Sequence, residues 1–140
     1  MALKATIHKV ELAVSDMDRG YYATHALTLA RHPSETSERL MVRLLAFALY
    51  ADETLEFGRG LSADDEPTLW KKDLTGNIEH SIDVGLPDER LLRTAAGRAR
   101  HVTLVNYGGR GARLWWTANH AALDRLENLD MIDPPHVSTP

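Results

Sequence analysis

Residues 63–90 read ADDEPTLWKKDLTGNIEHSIDVGLPDER, two strand-length segments joined by a tight polar turn. The first segment is Thr68–Lys72 and the second Ile78–Gly85, and Asp73–Asn77 between them has the composition of a hairpin connection. In the second segment Ile78, His80, Ile82 and Val84 alternate with Glu79, Ser81 and Asp83, the period of a strand. Acids open the first segment and stand near the end of the second. Carboxylates on neighbouring strand ends are able to share one divalent cation, so chemistry is expected here. Pro87, with Asp88 and Glu89 behind it, predicts a helix opening in its first turn.

Upstream, residues 3–14 read as a strand in which Val10, Leu12 and Val14 alternate with Glu11 and Ala13. The phase slips at His8 and Lys9, which predicts a bulge. Ser15–Gly20 is rich in turn residues and Tyr21–Ala30 alternates again, so the two segments form an N-terminal hairpin. Ser34 is placed to cap a helix running to about Tyr50 or Asp52. On it Glu35, Arg39 and Arg43 follow at i,i+4 spacing and predict an exposed charged stripe. Glu38, Met41, Val42 and Leu45 share another face, which turns Glu38 toward the sheet. A weak strand is expected over Thr54–Leu61, then an acidic loop over Ser62–Pro67.

Downstream, Leu91, Leu92, Ala95, Ala96 and Ala99 give the Pro87 helix its buried face, and His101–Tyr107 is a strong strand. Tyr107–Gly111 (YGGRG) lacks a Walker lysine and a helix start, so it reads as a flexible hairpin rather than a phosphate loop. Ala112–Trp116 reads as a further strand and Thr117 as the cap of a helix to about Arg125. Leu129–Ile132 is a short apolar piece. Residues 1–132 make a single domain, and 133–140 a Pro-rich flexible tail.

The chain has 140 residues, 44% of them hydrophobic and 26% charged, which is enough for one cored domain and too little for two. The absence of cysteine excludes a disulfide framework, a thiolate metal site and a thiol nucleophile, and suits the cytoplasm. No signal peptide or membrane span is legible. The net charge of −4 argues against a surface that coats nucleic acid broadly, though not against a local one. Charge is segregated: Glu53, Glu56, Asp64, Asp65 and Glu66 stand against Arg59 alone, whereas Arg90–Arg113 holds six arginines and no acid. Acids for a cation beside cations for phosphate would suit a phosphodiester site; two solvated faces would look the same.

The order helix, three strands, helix, strand, with acids on the first helix, before the second strand and on the third, resembles the PD-(D/E)XK nuclease core. The longer strings RHPSET (31–36), LxFxRGLxADDEP (55–67), GLPDERxxRxA (85–95) and VxLxxY (102–107) resemble the bacterial YaeQ family, over nearly the whole chain to about Leu129. That resemblance implies a restriction-endonuclease-like α/β fold: an αβββαβ core, a mixed central sheet flanked by helices, and an N-terminal β-hairpin extension. It implies Mg²⁺ or Mn²⁺ as cofactor and nucleic acid as partner. Carried over residue by residue, the helix acid is Glu38, the acid before strand two is Asp65 or Glu66, and the strand-three acid is Asp83. Pro87-Asp88 is a decoy that only starts a helix. Where the nuclease pattern has a lysine two residues past Asp83, this chain has Gly85. Arg90 or Lys72 is the candidate replacement, although an arginine cannot act as a base near neutral pH. Arg93, Arg39 and His32 are the further candidates to face substrate. An inactive nuclease-fold protein that binds nucleic acid or another protein is the alternative, with Gly85 as its main support.

The same acids also suit helix caps and loop turns. His80 is read as a hydrogen-bonded core histidine, and no zinc spacing is present. Trp115 and Trp116 read as core and boundary aromatics. Members of the resembled family continue some tens of residues further. If that part covers the hairpin, Val10–Val14 is left as an edge that invites self-association, so a monomer or weak homodimer is expected.

Overall fold

The computed structural model describes residues 6–58, 66–107 and 110–132. Strands β1 (Thr6–Asp16) and β2 (Tyr21–Arg31) pair antiparallel from Thr6↔Arg31 to Asp16↔Tyr21 without interruption. The bulge expected at His8 and Lys9 is therefore absent. The alternation simply continues through His8, which faces inward with Val10, Leu12 and Val14, and its Nε2 is buried without a hydrogen-bond partner. Asp16 accepts the N–H groups of Asp18 and Arg19, and Gly20 at φ 64° closes the turn in a conformation that suits glycine.

Helix α1 (Ser37–Leu49) is capped by Thr36 rather than Ser34, its hydroxyl accepting from Arg39 N at 3.1 Å. The helix lies the other way round from the expectation. Glu35, Arg39 and Arg43 turn inward, Glu35 and Arg43 being 3% exposed, while Glu38, Met41 and Leu45 face solvent. The cause is Phe47. At helical spacing Arg39, Arg43, Ala46, Phe47 and Tyr50 share one stripe, and the large ring with its flanking alanine outweighs the smaller Met41/Leu45 stripe. Charge enters the interior because it is paired. Glu35 accepts from both arginines, and Arg43 Nη2 also donates to the Ala30 carbonyl of β2 at 3.1 Å.

Five strands form the second sheet in the order β3 (Leu55–Phe57), β4 (Leu69–Lys72), β5 (Ile78–Val84), β6 (Ala99–Val105), β7 (Leu129–Ile132). The first two pairings are antiparallel and the last two parallel, so β5 is the strand where direction changes. The β4–β5 turn is made by Asp73, whose Oδ1 accepts from Thr75 N, Thr75 Oγ1 and Asn77 N. Register slips at Lys71/Lys72, and Ile78 packs with the far-face cluster instead of sharing the near face with His80.

One face of the sheet (Leu55, Leu69, Ile82, Val84, Val105) packs on Ala46 and Phe47 of α1 and on Val14 of the hairpin. The other packs Val102 and Leu104 under Leu92 of α2 (Glu89–Arg98) and Leu123 of α3 (Arg110–Leu123). Asp88 is the cap of α2, accepting from Arg90 N at 2.9 Å, which puts Pro87 before the helix and not in its first turn.

The expected strand at Ala112–Trp116 is helical, and α3 runs unbroken from Arg110. Ala112, Trp115, Asn119 and Leu123 recur at i+3 and i+4 and give it one inward face. Trp115 Nε1 donates to the Pro87 carbonyl at 2.8 Å, tying α3 to the start of α2. Helix α3 delivers the chain to β7, and Asn128 fixes that entry by donating to the Ala96 and Ala99 carbonyls. The result is a mixed α/β fold whose described residues form two sheets and three helices. The acidic segment 59–65 and the tail 133–140 lie outside the described residues.

Candidate functional site

Thr68 enters β4, Asp83 lies near the end of β5, Tyr107 follows β6, and α1 begins, all at one end of the sheet. Asp83 points to the α2 face and is largely buried. Its Oδ1 accepts the Thr68 N–H at 3.2 Å, a bond made available because Thr68 stands just before the β4–β5 ladder. Burial pushes the Asp83 carboxyl up from 3.8 to about 6, and the Thr68 bond and the charge of Arg39 only partly oppose it. Arg39 comes from the first turns of α1. Its guanidinium is bonded to Glu35 and reaches Thr68 Oγ1 at 3.5 Å. Among the described residues the strand-end carboxylate thus has one backbone donor and the charge of one arginine, which is shared with a buried acid.

A cleft of about 220 Å³ opens beside Asp83, lined on the sheet side by Glu66, Trp70 and Ser81 and on the α2 side by Leu91, Thr94 and Arg98. Two carboxylates, Asp83 and Glu66, border it. Among the described residues no group of three or more His, Asp or Glu side chains is arranged to hold a metal ion. Asp65 lies outside the described residues.

The remaining candidates separate. Glu38 is exposed on α1; its charge reaches Tyr107, but no contact joins it to Asp83 among the described residues. Lys72 is at the opposite end of β4, about 13 Å from Thr68 by strand rise, with Nζ 3.9 Å from the centre of the Trp70 ring. It is therefore not a cation for Asp83. Arg90 and Arg93 are exposed on the outer side of α2, held by Asp88 at 3.9 Å and Glu89 at 2.7 Å, and neither lines the cleft. His32 is bound up locally, its Nδ1 accepting the Ser34 N–H at 3.1 Å. Of the candidate cations only Arg39 acts on Asp83.

Gly85 has a physical explanation. Its φ is 98°, a region that side-chain-bearing residues rarely adopt, and a Cβ there would meet Cε1 of Tyr107 at 3.3 Å. Its N–H donates to the Val105 carbonyl at 2.9 Å, which fixes the conformation. The Tyr107 ring packs tightly against the position that the nuclease pattern gives to lysine. Glu35 was missed as a member of this environment. The signal was present: Glu35, Arg39 and Arg43 share the stripe that ends in Ala46 and Phe47.

A separate polar row crosses the α1 face of the sheet. His80 Nε2 is 2.7 Å from Thr103 Oγ1, as expected of a satisfied interior histidine, and burial with His101 and Lys71 nearby pushes it down to about 4. His101 and Asp130 pair at 2.6 Å farther along.

The model of the family described as YaeQ protein matches residues 1–139. The chain belongs to the YaeQ family. A curated relative from Escherichia coli (strain K12), named "Uncharacterized protein YaeQ", is 49% identical over 131 residues, 94% of this chain and 72% of the relative. One of the same name from Salmonella typhi is equally similar. The crystal structure of a YaeQ protein from Xanthomonas axonopodis pv. citri is similar at 57% identity and a TM-score of 0.85, covering 91% of this chain and 72% of that one. That of a YaeQ protein from Pseudomonas syringae has a TM-score of 0.86 at 44% identity, covering 91% and 70%. YaeQ membership accounts for the long motifs quoted above. No helix among the described residues is long and apolar enough to cross a membrane.

Proposed function

We propose that residues from α1 to β6 form a restriction-endonuclease-like core and that the chain acts on nucleic-acid phosphodiesters with a divalent cation held at Asp83. The order α1-β3-β4-β5-α2-β6 and the change of strand direction at β5 support the core. The carboxyl of Asp83 carries the site. A largely buried acid with one backbone donor and a shared arginine is under-compensated when ionised, and a bound cation would relieve it. Magnesium commonly uses one or two carboxylates and keeps its waters, so Asp83 with Glu66, which lines the same cleft, would be a sufficient donor pair, and Asp65 precedes Glu66 directly.

Such an ion supplies Lewis-acid polarisation of a phosphoryl oxygen and a more acidic bound water. The chain's own residues do the rest. Thr68 N–H orients the Asp83 carboxylate. Arg39, anchored by Glu35, offers a fixed positive charge for a phosphate oxygen but no base. Gly85 in the lysine position supplies no ammonium to activate a water, so slow cleavage is expected.

The test is cleavage of mixed single- and double-stranded DNA and RNA with Mg²⁺ or Mn²⁺, alongside Mn²⁺ titration by calorimetry. Metal binding and cleavage that Asp83→Asn abolishes support the reading. Mn²⁺ affinity indifferent to Asp83→Asn removes it. Gly85 packed on Tyr107 favours a second reading, a nuclease-fold protein that binds nucleic acid without cutting it. Metal-dependent binding with no cleavage at long incubation decides for that one.

A further inference from the structure

The cleft beside Asp83 continues along the sheet toward the far end of β4, and three features set its chemistry. Trp70 lines its sheet side, in register with Ser81 of β5 and partly exposed. Lys72, two residues on, holds its ammonium on the Trp70 ring at 3.9 Å. Arg98, in the last turn of α2, lines the opposite wall and makes no ion pair among the described residues. The acidic end holds Glu66 and Asp83, and Glu56 is the cross-strand neighbour of Trp70.

From Asp83 to Ile78, the residue paired with Lys72, is about 16 Å at the rise of a strand, enough for a few nucleotides. The space of about 220 Å³ is below the ~300–1,000 Å³ of pockets that take drug-sized ligands. It suits one planar ring system with its backbone left outside.

We propose that this groove binds a single strand of nucleic acid, one base seated against Trp70 in place of the exposed Lys72 ammonium, which swings off the ring to meet the phosphates together with Arg98. The chemistry is that of single-strand binding in general, an aromatic platform with cations tracking the backbone. A duplex does not suit it, because a base still paired and stacked cannot enter a cleft one ring wide. The inference rests on the reading of Asp83 as a phosphodiester site, since it supplies the path by which a strand reaches that carboxylate. DNA and RNA offer the same base and phosphate chemistry.

The probes are fluorescein-labelled dodecamers of mixed sequence, single-stranded DNA, single-stranded RNA and duplex DNA. Anisotropy is measured in EDTA so that neither metal nor cleavage contributes. The intact chain is expected to bind at least one single strand several-fold more tightly than duplex. Trp70→Ala should weaken that binding about tenfold, and Trp70→Phe, which keeps a ring, much less. Lys72→Gln and Arg98→Gln are surface changes that spare the core, and each should flatten the salt dependence by about 0.7 in log–log slope. Equal affinity for duplex, or single-strand affinity unchanged in both Trp70→Ala and the Lys72→Gln/Arg98→Gln pair, overturns the proposal. Metal-dependent cleavage alongside that outcome would leave the Asp83 reading standing alone. Trp70-dependent binding without cleavage would support the groove and remove the chemistry.

Discussion

Asp83→Asn should make the metal-free protein more stable at pH 8 and leave it nearly unchanged at pH 4. The largely buried carboxyl has its titration raised from 3.8 to about 6, so the folded chain holds a proton there that the unfolded chain has already released. Stability that comes with the protonated carboxyl is fully present below pH about 4 and is lost as pH rises through about 6. At about 1.4 kcal/mol per tenfold change in acidity, that rise corresponds to an upper figure of about 3 kcal/mol for ionising Asp83 in place. Asparagine removes the charge and keeps an oxygen able to accept from Thr68 N, so the gain at pH 8 should be about 1–3 kcal/mol. Urea unfolding in EDTA, followed by circular dichroism from pH 4 to 8 for both proteins, measures it. His80 acts in the opposite sense, its neutral form losing stability as pH falls from 6.5 to about 4, but it is common to both and cancels in the difference. A variant less stable than the parent at pH 8, or a difference that does not grow between pH 4 and 7, refutes the reasoning. Adding Mg²⁺ should then raise the stability of the parent and not of the variant, because only the parent retains the ionised ligand.

Further outcomes are specific. Glu35→Ala leaves the buried Arg43 without its acid and should cost about 3–5 kcal/mol in chemical denaturation, far more than Glu38→Ala on the exposed side of the same helix. Gly85→Ala should cost about 1–3 kcal/mol because its φ is 98° and the Tyr107 ring stands at the new methyl, whereas Gly97→Ala, inside α2 with open space around it, should be neutral or stabilising. In an NMR titration the His80 ring should stay neutral down to about pH 4.

Much of the architecture could be read in the chain because the local signals agreed with the tertiary fold. The β1–β2 hairpin, the Asp73–Asn77 turn and the α2 face each satisfied period and turn chemistry together. The failures share a cause. Orientation of α1 depended on which of two stripes wins burial, and that is decided by Phe47 meeting Val14, Ile82 and Val84, residues far apart in sequence. Trp115 and Trp116 sit in a stretch too short for period alone to separate strand from helix, and the tie is broken by Pro87, 28 residues earlier, accepting from the Trp115 indole. Asp83 could be singled out as an acid near a strand end and at the strand-three position of the resembled pattern, but the alternation put it on the polar side of the strand, and its burial is made by α2, which period alone does not show. That Lys72, Arg90 and Glu38 stand apart from Asp83 is not legible in sequence, since distance along a strand and outward facing on a helix only become definite once neighbours are in place.

The Tyr107 ring over Gly85 also bears on how this chain can change. A side chain at position 85 is strained at φ 98° and presses on the Tyr107 ring at 3.3 Å, so the ring must shift slightly as well. Gly85→Lys in the present background meets that strain and a tight contact, whereas Tyr107→Ala alone removes the contact and leaves the strain. The two positions are therefore epistatic. Any lineage that places a side chain at position 85 meets the backbone strain and the ring contact together.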